Sequence, residues 1–437
     1  MIPATSAAAP AVRHAEASFT REHARVLALS TLGGALEFYE FIVFIYLTPV
    51  LSAVFFSRDA EPWLVQLQTL GIFAIGYLVR PLGGTVLAAL GDRYGRKRLF
   101  GFTLLLMALG TLGIGLLPAH AQIGVAAPLL LLLCRVGQGL AMGGEFPAAA
   151  AFVMESVPGG RVGFSISMLG MGFSLGALLA ALVILLLSTT LSAADFLQWG
   201  WRIPFLAGGL FGLLSVWLRR TVRESPVFEE MVNQHKSARR LAFRPLFTEY
   251  RREVILASVL ALVSAALIQS VQIYPISHFQ VVLGYPRAVV SGAQIGLLVG
   301  QMLMVPVAGW LLDHWGWNKT ICSFAVANCI GILAFYQQVS PETLGAWWFL
   351  IGALNGGVIV PVLTPLARLF PAPLRITGIA ASYNLAQAAA GGTIPVLLGA
   401  LAQFGAWSLS LLPVLLCVLA VVATPLAARL AKPIHAH

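Results

Sequence analysis

Four charged residues interrupt long apolar stretches of this sequence and are the first candidates for chemistry: Glu37, Glu40, Arg80 and Arg135. A charged side chain in hydrocarbon costs about 2.5–3.5 kcal/mol on insertion scales, so each of the four predicts a functional site. Glu37 and Glu40 lie three residues apart on one helix face, and at least one of two neighbouring carboxyl groups should hold its proton more tightly than a free glutamate. The pair therefore has the chemistry of a proton carrier.

The predicted depths of Glu37 and Arg135 bring opposite charges together. At 1.5 Å per residue, both residues lie roughly 15–18 Å into their apolar helices, near the middle of a bilayer. A nearby guanidinium favours the charged carboxylate, so movement of Arg135 between partners could exchange a proton for a conformational step. The alternative is a permanent ion pair that only braces two helices.

Arg80 is the second buried cation, and two interpretations of it stay open. Its planar guanidinium could hold a carboxylate through two hydrogen bonds. It could equally be a gate charge paired with an acid such as Glu145. Tyr39 and Gln138 are further candidate substrate contacts. The polar candidates of the second half of the chain are Gln269, Gln272, Tyr274, Gln301, Asn355, Tyr383, Asn384 and Gln387. The alternative for the Asn and Gln side chains among them is a hydrogen bond to a neighbouring helix.

The elements that position these residues follow from composition. The chain has 437 residues, 59% hydrophobic and 10% charged, with a mean hydropathy of +0.87. Too few polar residues are present to cover a soluble fold, and long apolar runs favour helices over barrel strands in lipid. We predict an all-α polytopic membrane protein whose twelve helices lie near 27–56, 65–91, 98–118, 123–155, 163–190, 199–219, 254–283, 288–312, 319–338, 345–370, 375–404 and 407–431.

Charge distribution predicts the orientation and the division of the chain. Most of the 27 Lys and Arg residues fall in the tails and loops of one side, which the positive-inside rule places in the cytosol. This bias explains the net charge of +10 without nucleic acid as a partner. The predicted parts are a cytosolic tail (1–26), a six-helix bundle (27–219), a basic cytosolic linker (220–253), a second six-helix bundle (254–431) and a short cytosolic tail (432–437).

The sequence offers no catalytic, cofactor or metal motif. Its four cysteines, Cys134, Cys322, Cys329 and Cys417, sit in apolar runs without a Cys-x-x-Cys pair or a nearby histidine. This spacing argues against a disulfide framework and against an ordinary zinc site. With no Ser-His-Asp or nucleotide motif either, an enzyme is not predicted.

A short polar loop recurs in the two halves of the chain. Residues 91–97 (GDRYGRK) follow the second helix and are echoed by residues 312–319 (LDHWGWNK) after the eighth, about half a chain later. Asp92 can sit at the positive end of the next helix, and Arg96 can hold the loop in the cytosol. The loop resembles the signature of the major facilitator superfamily, with Ala88 where the family usually has glycine and with no arginine in the second copy.

The family uses this loop to latch its inward gate. The resemblance therefore implies gating roles for Asp92, Arg96 and Asp313, and we add Glu145 and Glu155 near the cytosolic end of the fourth helix. Interfacial salt bridging is the alternative for Glu155.

Longer motifs resemble the metabolite:proton symporter branch of this superfamily, which carries citrate, 2-oxoglutarate, shikimate, and proline or betaine. Phe38 replaces the usual tryptophan of that branch and Glu40 its aspartate. No proline occurs in residues 159–203, whereas drug antiporters carry one in the fifth helix, so drug export is disfavoured. The matching segments are residues 33–41 (GGALEFYEF), 80–84 (RPLGG), 134–139 (CRVGQG) with 143–145 (GGE), 199–205 (WGWRIPF), and 370–378 (FPAPLRITG) with 383–384 (YN) and 391–392 (GG).

The resemblance implies proton-coupled import of a small organic anion by alternating access in a bacterial inner membrane. A zwitterion such as betaine or proline is the alternative substrate, and export is a further alternative. The proton would be carried by Glu37 or Glu40 with Arg135. The expected substrate contacts are Arg80, Arg135, Tyr39, Gln138, Gln269, Gln272, Tyr383 and Asn384. The expected partners are substrate, proton and lipid bilayer, with no cofactor, and the chain is expected to act as a monomer.

Overall fold

The computed structural model describes residues 19–57, 62–94, 96–219, 243–371 and 374–431. All regular structure in these residues is helical, and most of it forms twelve long units. The twelve are α1 (Arg21–Tyr46, extended by Thr48–Phe55), α2 (Pro62–Leu78 and Arg80–Tyr94), α3 (Arg96–Leu116), α4 (Ala126–Ser156), α5 (Val162–Thr190), α6 (Arg202–Arg219), α7 (Arg251–Leu267, continued by shorter turns to Val282), α8 (Arg287–Trp315), α9 (Trp317–Gln338), α10 (Leu344–Ile359 and Thr364–Leu369), α11 (Arg375–Ala402) and α12 (Leu411–Leu430).

These helices have the length and polarity of membrane spans. Nine helices in the described residues are long and apolar enough to cross a bilayer, and shorter apolar helices cover Gly71–Leu87, Gly101–Leu116 and Arg202–Trp217. Large apolar side chains such as Leu116 and Val396 are exposed on the outer surface, where lipid would cover them. The predicted all-helical membrane fold with twelve helices is confirmed.

Helix ends differ from the predicted positions by a few residues. The first helix begins at Arg21 rather than 27, because Thr20 and His23 form a reciprocal capping box around its first turn. A short helix, Phe243–Thr248, lies in the predicted linker, and α7 begins directly after it at Arg251. The rest of the linker and both predicted tails lie largely outside the described residues.

Glycines allow helices of the first half to pack closely. A Cβ atom at Gly139 would collide with the backbone of Gly76. Because glycine has no Cβ, α4 can pack directly against α2 at this point. Gly172 and Gly176 of α5 lie against the backbone of α1 in the same way. Small residues are what membrane helices use to approach one another. The backbones of α1 and α5 are therefore in direct contact.

The chain folds as two halves, α1–α6 and α7–α12, that meet along two seams. Helix α5 packs on α8, and α2 packs on α11. We call the end of the bundle where α1 begins at Arg21 and α12 ends at Leu430 the terminal face, and the other end the opposite face. The polar residues of interest lie between the halves and within the first half.

Candidate functional site

A cavity of about 790 Å³ lies between the two halves. The first half contributes Glu37 of α1 and Arg80 of α2, and the second half contributes mainly neutral polar and apolar side chains. Seven of the candidate residues named from the sequence line this cavity: Glu37, Arg80, Gln269, Gln272, Gln301, Tyr383 and Gln387. Aromatic rings complete much of the wall, namely those of Phe38, Tyr77, Phe146, Phe173 and Tyr383.

Arg80 lies at a break in α2. Pro81 has no N–H to continue the helix, and the two parts of α2 meet at Val79. The guanidinium of Arg80 lies 4.2 Å from the ring centre of Tyr77 and 4.6 Å from that of Phe41. Its Nη2 donates to the sulfur of Met142 at 3.2 Å, and its Nε has no hydrogen-bond partner in the described part of the chain. Arg80 can therefore donate to a ligand in the cavity.

Glu37 borders two cavities. Besides the central one, it lines a smaller cavity of about 200 Å³ that also contains Glu145. Phe146 and Phe173 line both cavities and separate them. Because Glu145 lies nearer the end of α4 at the terminal face, Glu37 stands between the central cavity and that face.

The second half presents amides to the central cavity. Gln272 donates through Nε2 to Oε1 of Gln301 at 2.6 Å, and Nε2 of Gln301 donates to the hydroxyl of Ser174 at 2.7 Å. The second bond joins α8 to α5 and so links the halves. Oε1 of Gln269 has no hydrogen-bond partner among the described residues, which leaves an acceptor facing the cavity.

Arg135 contacts one amide and three aromatic rings. Its Nη1 donates to Oε1 of Gln138 at 2.9 Å, and its guanidinium lies 4.4–5.2 Å from the ring centres of Phe44, Phe41 and Phe73. None of these contacts of Arg135 is with Glu37, and the pairing of Glu37 with Arg135 stays a prediction. Depth along a helix fixes the height of a side chain but not its direction around the axis.

Glu40 also points away from Glu37 and the cavity. Its Oε2 accepts a hydrogen bond of 2.7 Å from the hydroxyl of Thr111 in α3. The hydroxyl oxygen of Thr111 in turn accepts a hydrogen bond of 2.8 Å from Nε2 of Gln138. Glu40, Thr111, Gln138 and Arg135 are all buried. Glu40 and Gln138 are therefore joined within the first half.

Two further predicted contacts hold helices together. The hydroxyl of Tyr39 donates to the carbonyl of Pro204 at 3.0 Å, which ties α1 to α6. Nδ2 of Asn384 donates to the carbonyl of Gly143 at 2.7 Å. In a regular helix the carbonyl of Gly143 would accept a hydrogen bond from the N–H of residue 147, but Pro147 has no N–H. Asn384 of α11, in the second half, donates to this carbonyl instead. Next to it, the ring of Tyr383 stacks on Phe146 at 4.3 Å.

Asp313 joins the two halves at the terminal face. Its carboxylate accepts hydrogen bonds from the backbone N–H groups of Gly163 and Phe164, at 2.7 and 2.9 Å, in the first turn of α5. An anion is favoured there because the unpaired N–H groups give that helix end a partial positive charge. The side chains of Asp92, Arg96 and Glu155 lie outside the described part of the chain.

A family model described as the Major Facilitator Superfamily matches residues 32–336, more than half of the chain. The chain belongs to this superfamily. Among similar proteins of Escherichia coli K12, the inner membrane metabolite transport protein YhjE is 32% identical over 379 residues, covering 85% of this chain and 86% of the relative. The proline/betaine transporter is 30% identical over 382 residues, covering 84% and 76%, and the shikimate transporter is 29% identical over 412 residues, covering 90% and 91%.

Solved structures show the same superfamily fold. A proton:xylose symporter bound to 6-bromo-6-deoxy-D-glucose superposes with a TM-score of 0.78 at 19% identity, covering 92% of this chain and 94% of that one. The relatives are named as membrane transporters and not as enzymes, and they fit the metabolite:proton symporter branch of the superfamily.

Sequence reasoning missed three residues of this superfamily member. Thr111 and Ser174 carry no charge, and buried hydroxyls are common in membrane helices, so neither gave a signal. Phe173 lines both cavities, but a phenylalanine in an apolar helix does not stand out. Only its proximity to Gly170 and Gly172, on the face of α5 that packs inward, could have indicated it.

Proposed function

We propose that this protein imports a small organic anion together with a proton by alternating access. The observation that supports this proposal best is that Glu37 and Arg80 line one cavity between the halves. The opposite wall supplies neutral hydrogen-bonding groups, among them Gln269 and Gln272. One ionisable acid and one permanent cation that face the same space can couple the binding of a proton to the binding of an anion.

The coupling follows from charge balance in a space with little water. When Glu37 is ionised, its charge offsets that of Arg80, and an added anion would leave a net negative charge in low dielectric. When Glu37 is protonated, Arg80 remains as an uncompensated cation that binds a carboxylate through two charge-assisted hydrogen bonds. Proton and anion therefore enter the cavity together.

Alternating access requires contacts between the halves that can break on each side in turn. Near the terminal face, Asp313 holds the start of α5 and Asn384 holds Gly143. Toward the opposite face, Nε2 of Gln294 donates to the hydroxyl of Tyr46 at 2.7 Å. Rocking of one half against the other would exchange these two sets of contacts around the cavity.

A zwitterion is the second candidate substrate, and the aromatic wall favours it. A quaternary ammonium group is attracted to ring faces, and five aromatic side chains line the cavity. Its carboxylate would bind Arg80, while its cationic end would lie near ionised Glu37. Relatives with the names proline/betaine transporter agree with this candidate.

The variant Glu37→Gln distinguishes the two substrates because glutamine imitates only the protonated acid. An anion transporter should keep its substrate affinity within about threefold and lose the dependence of binding on pH, whereas a zwitterion transporter should lose affinity at least about tenfold, or ~1.4 kcal/mol. Thermal stabilisation of purified protein by citrate, 2-oxoglutarate, shikimate, proline and glycine betaine reports binding by mass action.

In proteoliposomes, Glu37→Gln should also abolish accumulation driven by a pH gradient while solute exchange persists. Glu342→Gln, in the exposed loop after α9, is the matched control and should behave as wild type. Accumulation against a gradient by Glu37→Gln at the wild-type level would contradict the coupling role of Glu37.

A further inference from the structure

The two halves of the chain carry different charges at corresponding positions near the terminal face. In the first copy of the polar loop, Arg96 stands where the second copy has Trp317. Helix α4 has Glu155 three residues before a proline, and α10, the fourth helix of the second half, has Arg368 three residues before a proline. The cation that the second copy of the loop lacks is therefore present on α10.

The structure places Arg368 beside the second copy of the loop. Gly316, with a φ of +80°, is the one residue between α8 and α9, so Asp313 and Trp317 lie on either side of a single turn. The guanidinium of Arg368 lies 5.7 Å from the ring centre of Trp317. Arg368 and Asp313 act on each other through their charges, without a hydrogen bond between them in this conformation.

The hydrogen bonds of the Asp313 carboxylate go to the first half. Oδ1 accepts the N–H of Gly163 at 2.7 Å and Oδ2 accepts the N–H of Phe164 at 2.9 Å. A Cβ atom at Gly163 would lie 2.6 Å from Oδ1, so glycine is what allows this approach. Arg161, directly before α5, attracts the carboxylate from the same side. Asp313 thus lies between Arg161 of the first half and Arg368 of the second.

Arg368 has a donor that this conformation does not use. Its Nε is buried and has no hydrogen-bond partner in the part of the chain that the structure describes. A buried donor on a charged group is costly to leave without an acceptor. The ring face of Trp317 attracts the cation but accepts no such bond from Nε. A carboxylate that turned toward Arg368 would satisfy this donor.

Helix α10 is packed so that it moves with α8. A Cβ atom at Gly352 of α10 would collide with the backbone of Leu297 of α8, and one at Gly300 of α8 would collide with the backbone of Phe349 of α10. Backbones in direct contact on both helices leave little room for sliding. Arg368 therefore stays near Asp313 wherever the second half goes.

We propose that Arg368 is a positioning residue that becomes the partner of Asp313 when the terminal face opens. As the halves separate, Gly163, Phe164 and Arg161 leave with α5, whereas Arg368 remains. The carboxylate then exchanges two backbone donors for the guanidinium. Opening of this face rests on the proposed function, but the exchange of partners does not depend on which solute or ion is carried.

The exchange makes Arg368 and Asp313 act in opposite directions on the same face. Asp313 stabilises the closed face through α5. Arg368 stabilises the open face, because an ionised carboxylate that loses its donors in a poorly hydrated place would otherwise stay unpaired. Trp317 holds the guanidinium in the closed face and so delays the exchange. A purely structural role of Arg368 as a brace of the loop would give the contrary sign.

The test is the alkylation rate of Ser167→Cys in full-length protein without native cysteines, in membranes without solute or pH gradient. Ser167 is buried against Gly309 of α8, so a membrane-permeant maleimide reaches it when the terminal face opens. We expect Arg368→Gln to slow alkylation about three- to tenfold, between the effects of an exposed ion pair and a buried charged hydrogen bond. Arg429→Gln, exposed in the last turn of α12 at the same face, is the matched control and should react as wild type does.

Three companion variants separate charge from structure. Arg368→Lys keeps the charge and should restore at least about half of the wild-type rate, since an ammonium group can still pair with Asp313. Arg368→Met lacks the charge and should slow alkylation as Arg368→Gln does, so it carries the test where Arg368→Gln does not insert. Trp317→Leu releases the guanidinium and should speed alkylation about two- to fivefold, the size of one partly exposed cation–π contact.

Dependence on Asp313 is tested in the double variant. With Asp313→Asn the carboxylate is gone, so adding Arg368→Gln should change the alkylation rate less than twofold, because neighbouring residues that act through one contact are not additive. Three results would overturn the proposal: an Arg368→Gln rate equal to or above that of wild type, an Arg368→Lys rate as low as that of Arg368→Gln, or equal slowing by Arg368→Gln with and without Asp313.

These measurements are independent of transport because they contain neither solute nor gradient. A protein in which Arg368→Gln slows and Asp313→Asn speeds alkylation, but which accumulates no anion under a pH gradient, would contradict the proposed function and support the exchange of partners. Uptake driven by a pH gradient with an unchanged alkylation rate in Arg368→Gln would do the reverse.

Discussion

The guanidinium of Arg80 is held by its surroundings in a way that a lysine cannot reproduce. It lies against Tyr77 and Phe41 and has donors left for a ligand, whereas an ammonium group is a single point charge without a flat fork. We therefore predict that Arg80→Lys inserts normally but weakens substrate binding at least about tenfold, or ~1.4 kcal/mol. Thermal stabilisation by the substrate measures this loss.

Arg202→Lys is the matched control, because Arg202 also stacks on a ring, Trp201, but donates to the carbonyls of Gly115 and Leu117 away from the cavity. It should bind substrate as wild type does. Carboxylates should compete for the site and their methyl esters should not. Competition by glycine betaine without competition by carboxylates would exclude the anion.

Charge in the sequence indicated two residues that line the central cavity, but not that they share it. Glu37 and Arg80 were found from the sequence because a charge within an apolar run is costly. Their shared cavity was not predicted, since it depends on the rotation of α1 and α2 about their axes. Thr111 could not have been found, because its importance comes entirely from lying between Glu40 and Gln138.

Among the helices, the contact between α8 and the start of α5 gives the clearest test. Asp313 places a full negative charge against the partial positive charge of that helix end, an interaction of about 0.3–2 kcal/mol. Asp313→Asn should weaken the closed terminal face and favour its opening by about two- to thirtyfold. A cysteine at Ser167, which packs under Gly309 of α8, should then be alkylated faster by a membrane-permeant reagent.

Asp195→Asn is the control for this experiment. Asp195 is exposed near the opposite face and is bonded to Ser192 within its own turn, so its loss should leave the alkylation rate at Ser167 unchanged. Equal rates in wild type and Asp313→Asn would show that the contact does not hold the terminal face closed.

Sequence patterns located the helices well and their irregularities poorly. Apolar length alone predicted all twelve units, because a bilayer demands about twenty apolar residues of each crossing helix. The π-helical turns Ile268–Ile273 and His278–Val282 in α7 were not predicted. Pro275 lies between the two turns and has no N–H to donate to the carbonyl of Val271, but apolar length alone does not show how a helix adjusts to a proline.

Orientation in the membrane is a property of the whole molecule and is still a prediction. Basic loops favour the cytosol, so both chain ends and residues 220–242 should lie there. In a variant without native cysteines, Lys236→Cys should resist an impermeant thiol reagent added to intact cells. Glu342→Cys, in the loop at the opposite face, should react readily. Strong labelling at position 236 with none at position 342 would reverse the orientation.

The two-half organisation was predictable because the polar loop after the second helix recurs after the eighth. What the recurrence could not show is what each copy contacts. The described copy binds the other half through Asp313 and the start of α5, while the side chains of the first copy, including Asp92, lie outside the described residues. The cavity is unequal between the halves, with the carboxyl group of Glu37 and the guanidinium of Arg80 on one wall and amides on the other.

The bond between Asn384 and Gly143 has a consequence for hydration. Pro147 denies the carbonyl of Gly143 a partner inside its own helix, so separating the halves at the terminal face leaves both that carbonyl and the amide of Asn384 without a bond. A buried polar group left in this state costs about 1–3 kcal/mol. Water must therefore reach this point as the halves part, and wetting of the gap becomes a condition for opening rather than its result.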